Sequence, residues 1–422
     1  MKTILIAAGL SLAATSALAD IPLGLGNVSA SLTTTATYDS NVYGTRDATA
    51  DYFGTLAPKV SYSRKAGEIE AEANAGISLI RYLDQTQLNA DNLDADVSLK
   101  IPESDIRNYT GLLSAAYVEA STVDTEINAR INSKTSTFIG QGAFVTGPRS
   151  DLALSGNYSD AQRSVASSQQ ILTSEATYDY KDFFAGNSLR VIGDYDELHS
   201  SGGNSLGVPL DQHSIMLSAG LGRAFVHDTL RAGISYGYRI LERSAAETTS
   251  GVRQEDGSVI SASLEGPFLP EKYFPKVTSS FAVVYQEATS PGINDTGSSR
   301  ELTGNLSLAW QARSTTKATF SAKRTQNLSA NDLSVVSTEV DLGVEQVLRY
   351  NLTGSLTAGY NWSSYRTISR QDKIASLGAR LAYHFARSWE GDFTYDLTSV
   401  NSSDRLSTLD RQVVSLSLAY QF

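Results

Sequence analysis

The feature that most restricts this chain is a two-residue alternation of side-chain character that recurs along almost its whole length. At the C-terminus, Val414, Leu416, Leu418, Tyr420 and Phe422 share one parity, while Ser415, Ser417, Ala419 and Gln421 share the other. Successive side chains of a strand point to opposite faces, so such a segment has one apolar and one polar face. The same split recurs in Tyr350, Leu352, Leu356, Ala358, Tyr360 and Trp362 against Asn351, Thr353, Ser355, Thr357 and Asn361. Leu230, Ala232, Ile234, Tyr236 and Tyr238 alternate with Arg231, Ser235 and Arg239. The alternating stretches run to roughly 12 to 16 residues, where soluble strands usually have about 5 or 6. Aromatic residues stand at the ends of the apolar stripes, where a bilayer has its interfaces. The pattern predicts an all-β protein: a closed antiparallel transmembrane β-barrel of about 18 to 20 strands, best counted as 20, from near Asn27 to Phe422. An even number leaves both termini on the periplasmic side.

The N-terminus reads as an export signal. Lys2 is followed by an apolar run from Ile4 to Ala14, and Ala17-Leu18-Ala19 forms an A-x-A cleavage site before Asp20. The run is shorter than the roughly 20 residues a membrane helix needs. Residues 1–19 are expected to be a signal peptide and 20–422 one barrel domain, since no Pro-rich, Gly/Ser-rich or charge-block linker divides them. One closed sheet absorbs this length by adding strands rather than thickening a core. The chain has no cysteine, so an exported protein of this kind must be held by its hydrogen-bonded ladder. A net charge of −11 argues against a nucleic-acid partner, which would meet a basic face.

Tight connections are expected at Arg313-Ser314, Leu348-Arg349-Tyr350 and Arg387-Ser388. Longer polar ones are expected at Ser200 to Leu210, Ser244 to Gly251, Ser290 to Ser298 and Asn401 to Ser407. Gly266 to Pro275 breaks the trend by being long at the tight-turn end, and the strand pattern is weakest at Ile139 to Gly147. Ser369 to Phe385 also echoes Asp410 to Phe422, as a barrel enlarged by hairpin repetition would.

The polar parity is expected to line a lumen. Its candidate lining residues are Glu339, Asp341, Glu345, Arg380, Glu390, Asp392, Asp396 and Arg411, with the six acids placed on neighbouring strands and giving slight cation preference. Arg130, Lys134, Arg190, Arg231, Arg239, Lys317 and Lys323 are assigned to the same face. Most such charges pair with one another and with water. Of the four histidines, His384 stands beside Arg380 as a wet structural residue, and no histidine joins a serine or aspartate in a recognisable catalytic set. No metal-ligand spacing, P-loop or dinucleotide fingerprint is present, so neither an enzyme nor a cofactor is expected. Tyr420 and Phe422, on the apolar parity of the last strand, resemble the signal read by the outer-membrane insertion machinery.

Three stretches resemble the second class of bacterial outer-membrane β-barrel porins. They are Thr37-Tyr38-Asp39-Ser40-Asn41-Val42-Tyr43, Arg324 to Thr338, and Tyr360 to Phe422. The last contains Arg370-Gln371-Asp372, Asn401-Ser402-Ser403-Asp404-Arg405 and Asp410-Arg411-Gln412. Some members of that class sit with exopolysaccharide export systems. The resemblance implies a conduit for hydrophilic solute, serving polysaccharide export. A general diffusion porin for small solutes and a surface scaffold or adhesin are the alternatives. Outer-membrane lipid, lipopolysaccharide and the insertion machinery are the partners expected of such a chain, with polysaccharide or small solutes as cargo.

Overall fold

The computed structural model describes residues 21–23, 26–104, 107–124, 127, 129–201, 210–225, 229–245, 253–269, 276–289, 298–328, 334–365, 369–404 and 407–422. The expected signal peptide, 1–19, lies outside the described residues. A short segment, β1 (Ile21–Leu23), precedes twenty long strands: β2 (Gly26–Asp39), β3 (Asp51–Ala66), β4 (Ile69–Tyr82), β5 (Ala90–Ile101), β6 (Tyr109–Asp124), β7 (Ala129–Gly147), β8 (Ser150–Arg163), β9 (Gln169–Phe184), β10 (Asn187–Ser200) and β11 (Leu210–Phe225). They continue as β12 (Leu230–Ala245), β13 (Arg253–Glu265), β14 (Val277–Thr289), β15 (Ser298–Arg313), β16 (Thr316–Leu328), β17 (Ser334–Arg349), β18 (Leu352–Tyr365), β19 (Gln371–Ala386), β20 (Trp389–Ser402) and β21 (Leu409–Gln421).

Each long strand pairs antiparallel with the next, and β21 returns to β2 from Ser31 opposite Gln421 to Asp39 opposite Val413. The sheet is therefore a closed barrel of twenty strands, as the alternation predicts. The weakly patterned stretch is part of β7, the longest strand at 19 residues. At the lower end of the seam β21 runs out before β2 does. The Phe422 N–H donates to the Ala30 carbonyl at 2.8 Å, and β1 then covers Gly26 to Val28, so the remaining β2 edge is paired by the chain's own N-terminal segment.

The two ends differ in their connections. One has six two-residue turns, among them 387–388 at the expected place and 314–315 and 350–351 within two residues of theirs. In the turn at 185–186, Ala185 (φ 50°) and Gly186 (φ 78°) both take positive φ, the conformation of a hairpin turn matched to strand twist. The long 266–276 connection lies at this end too, as do both ends of the barrel chain. The opposite end carries the long loops, 201–209 and 403–408 among them.

Among the described residues there is no conventional hydrophobic core. Large apolar side chains are exposed on one face, with Leu113 at 63% and Leu416 at 64%. Most of the few buried apolar side chains, including Val42, Tyr82, Ile131, Val335, Tyr365, Val400 and Leu409, stand at the long-loop end.

Candidate functional site

The eight residues singled out on the polar parity share one face by ladder register. On β17, Glu345 stands opposite Lys317 of β16, Asp341 opposite Ser321, and Glu339 opposite Lys323. Only a hydroxyl bridges the middle pair, with Ser321 Oγ donating to Asp341 at 3.1 Å. On β19 and β20, Arg380 donates from Nε to Asp392 at 2.6 Å and reaches Glu390 at 3.4 Å. His384 Nε2 meets the other Glu390 oxygen at 3.2 Å, so cation and imidazole share one carboxylate. Asp396 stands opposite Gly378, whose missing side chain leaves its carboxylate open to solvent.

Two expectations need correction. The six acids do not lie on neighbouring strands. Three are on β17 and three on β20, separated by β18 and β19. Arg130 and Lys134 are not on the polar parity either: unshifted pairing with β6 puts them on the parity of Phe138 and Phe144. Near the loop end that face ceases to be apolar, and Lys134 is held there by Glu119 directly opposite at 3.1 Å. The Gly- and Thr-rich sequence of β7 carries too little contrast between parities to settle the face.

The long-loop rim holds a second set of polar groups, and these are buried. Asp39 is fully buried and receives a bidentate pair from Arg411, Nε to Oδ1 at 3.0 Å and Nη2 to Oδ2 at 2.7 Å. The pair crosses the seam between β2 and β21. Asp51 accepts the backbone N–H groups of Tyr52, Asp84 and Gln85, tying the 83–89 connection to the wall. Asp372 is buried between Arg370 (2.7 Å), the Ser402 hydroxyl (2.5 Å) and the Tyr365 hydroxyl (3.0 Å), and Arg370 also lies over the Tyr365 ring. Cationic and multiple hydrogen-bond donors around these buried carboxylates offset the water they lose.

A local device repeats around this rim. A serine just beyond a strand end donates its backbone N–H to the facing chain and accepts an N–H at its hydroxyl. Ser40 does so with Gln412 and Ser403 with Gln371. Ser164 does so with Asn132 and Ser201 with Ser168. Each closes the last open rung before the loop, where an orphaned backbone group would otherwise face the rim. The Asp39-Ser40-Asn41 and Asp410-Arg411-Gln412 motifs thus meet each other, and Arg370-Gln371-Asp372 meets Ser402-Ser403.

The tight-turn end is built differently. Tyr383, Phe385, Trp389, Tyr420 and Phe422 form a continuous train of rings with centroids 4.6 to 6.1 Å apart, crossing from β19 over β20 to the chain end. A belt of amphipathic rings at the edge of an apolar face suits a membrane interface.

This geometry of a closed twenty-strand ring with an exposed apolar belt and a polar inner parity agrees with the sequence comparisons. Residues 295–422 match the family described as putative beta-barrel porin 2. That span holds β15 to β21, including the seam strand. Among solved structures the barrel resembles the ferric preacinetobactin receptor BauA from Acinetobacter baumannii, at 12% identity and a TM-score of 0.52 over 96% of this chain and 80% of that one. It also resembles the unliganded ferric citrate transporter FecA, at 10% identity and TM-score 0.51 over 93% and 78% of the two chains. The copper transporter OprC follows at 9% and 0.50 over 96% and 82%. At these identities the likeness establishes the fold, that of outer-membrane β-barrels. No curated protein matches the sequence.

Proposed function

We infer that this protein is a non-enzymatic conduit for hydrophilic solutes, set in the bacterial outer membrane with the tight turns and both chain ends in the periplasm. The observation that carries the reading is the polar parity. Glu339, Glu345, Arg380 and Asp396 remain solvent-exposed on a face that a closed barrel must turn inward once its apolar face meets lipid. With twenty strands the interior is too wide for side chains alone to fill. Strong contacts between strands of the described residues run only between ladder neighbours, so strands do not meet across it. A scaffold with a self-filled barrel fits this less well.

The cargo we favour is an exported polysaccharide. Its support is the resemblance of residues 295–422 to a porin family; the polar face has few aromatics, which argues against a tight sugar-binding slide, while a wide polymer passage needs none. The residues Tyr420 and Phe422 are taken as the handle of the insertion machinery, and Lys2 to Ala19 as the export leader. A general diffusion porin is the competing reading. Gene deletion separates them, with surface polysaccharide and small-solute permeability both measured. Loss of surface polysaccharide supports export, whereas unchanged polysaccharide with reduced solute uptake overturns it and leaves the porin standing.

A further inference from the structure

The barrel wall has a notch at its long-loop rim. In the ladder β5 meets β6 only as far as Asp94 opposite Val118, so Glu119 to Asp124 stand beyond it without a strand partner on that side. The 40–50 connection and the 3-10 turn Thr86–Leu88 close over the gap. Gly44 (φ +67°) is packed so closely that a Cβ there would lie 2.0 Å from Val123, and Arg130 Nε donates to the Val42 carbonyl at 2.8 Å. What remains is a cavity of about 350 Å³ between these loops and the ends of β6 and β7. That is the low end of the range of small-ligand sites.

Its chemistry is uneven. Arg130 lines the cavity and spends Nε on Val42 and Nη1 on Ser121, while Nη2 has no hydrogen-bond partner among the described residues. Asn89 accepts the Tyr82 N–H at Oδ1, so its amide donors stay available, and Asn132 adds an exposed side-chain amide. Gln87 donates to Gln85 and to the Tyr43 hydroxyl, which fixes its carbonyl as an acceptor. Among the described residues that line the cavity there is no carboxylate. The nearby Asp39 and Asp51 are committed to Arg411 and to backbone N–H groups. One guanidinium, several amide donors, an acceptor and a phenol ring complement a hydroxylated monoanion.

The geometry points to this notch as a binding site for an acidic sugar unit, its carboxylate on Arg130 and its hydroxyls on Asn89, Asn132 and Gln87. The site does not depend on whether the barrel conducts solute. Such a unit has two sources, a soluble saccharide or the acidic sugars of lipopolysaccharide in the surrounding leaflet.

The test is calorimetric titration of the lipopolysaccharide-free, detergent-folded full chain with glucuronate and with glucose. Glucuronate is expected to bind at least tenfold more tightly. Asn132→Asp brings a carboxylate into the cavity at an exposed position. It is expected to weaken glucuronate at least tenfold while heat-modifiable migration stays unchanged, and Arg130→Gln is expected to give the same loss. Displacement of glucuronate by added lipopolysaccharide assigns the leaflet as the source, and its absence assigns soluble saccharide. Undetectable glucuronate binding, equal affinity for glucose, or wild-type affinity in Asn132→Asp overturns the proposal.

Discussion

The two ends of the barrel solve the same problem by different means. At the long-loop end the strands stop among protein, with Asp39, Asp51 and Asp372 buried and hydrogen-bonded to neighbouring chain and Ser167 and Ser200 also buried. At the tight-turn end they stop in short turns whose rings stay uncovered, Tyr350 being 97% exposed. One rim supplies its own surroundings and the other leaves them to the interface of a bilayer. Stability at the loop end should therefore answer to single polar substitutions, and at the turn end to the loss of aromatic surface and to the surrounding lipid.

The largest effect is expected from the turn end. Replacing Tyr420 and Phe422 together by serine should abolish accumulation of folded protein in the outer-membrane fraction, read by heat-modifiable migration. Normal insertion of this double variant would break the assignment of the aromatic end to assembly. The seam at the opposite rim comes next. Asp39→Ala leaves Arg411 without its partner in a buried setting and should cost about 3 kcal/mol, seen as an earlier denaturant midpoint. A midpoint equal to wild type would show that the loop rim carries no more of the stability than the turn rim does. Ser403→Ala removes one hydroxyl clamp and should cost about 1 kcal/mol in the same assay. The smallest stability change belongs to the polar face between the rims. Asp392→Asn should stay within about 1 kcal/mol of wild type, because its pair with the exposed Arg380 is water-screened. There the effect should appear in conduction instead. Neutralising Glu339, Asp341 and Glu345 together should move the bilayer reversal potential toward anions, and no movement would remove that patch from the conduction path.

Strand number, ring closure and the tight connections were legible in the sequence because a period of two, sustained over long stretches, leaves little else for the backbone to do. The polar rim was not. Asp39, Asp372 and Asp51 fall on the alternation as ordinary polar residues, and nothing local separates a carboxylate that meets Arg411 from one that meets water. Arg411 lies 372 residues from Asp39, and Arg130 reaches across 88 residues to Val42. Part of the signal was present as repeated words. Asp-Ser-Asn near the start, Arg-Gln-Asp at 370–372 and Asp-Arg-Gln at 410–412 each place a serine-facing glutamine or a buried carboxylate at a strand end. The face of Lys134 is not legible in the sequence, because β7 offers little contrast between its parities. A charged residue beyond the apolar stripe can stand on either face when a Glu119 waits opposite.

The seam between β2 and β21 also sets an order of events. Every hairpin can form from neighbouring segments, but the β2–β21 pairing, with its side-chain bridge from Arg411 to Asp39, needs both extremities of the barrel at once. Contacts of such sequence separation close slowly, since chain entropy must be spent before they reward it. Until then the growing sheet presents two bare edges, and the last strand to arrive is the one ending in Tyr420 and Phe422. The lock on the ring can therefore engage only once β21 is present, so a product lacking β21 is left as an open sheet without this seam.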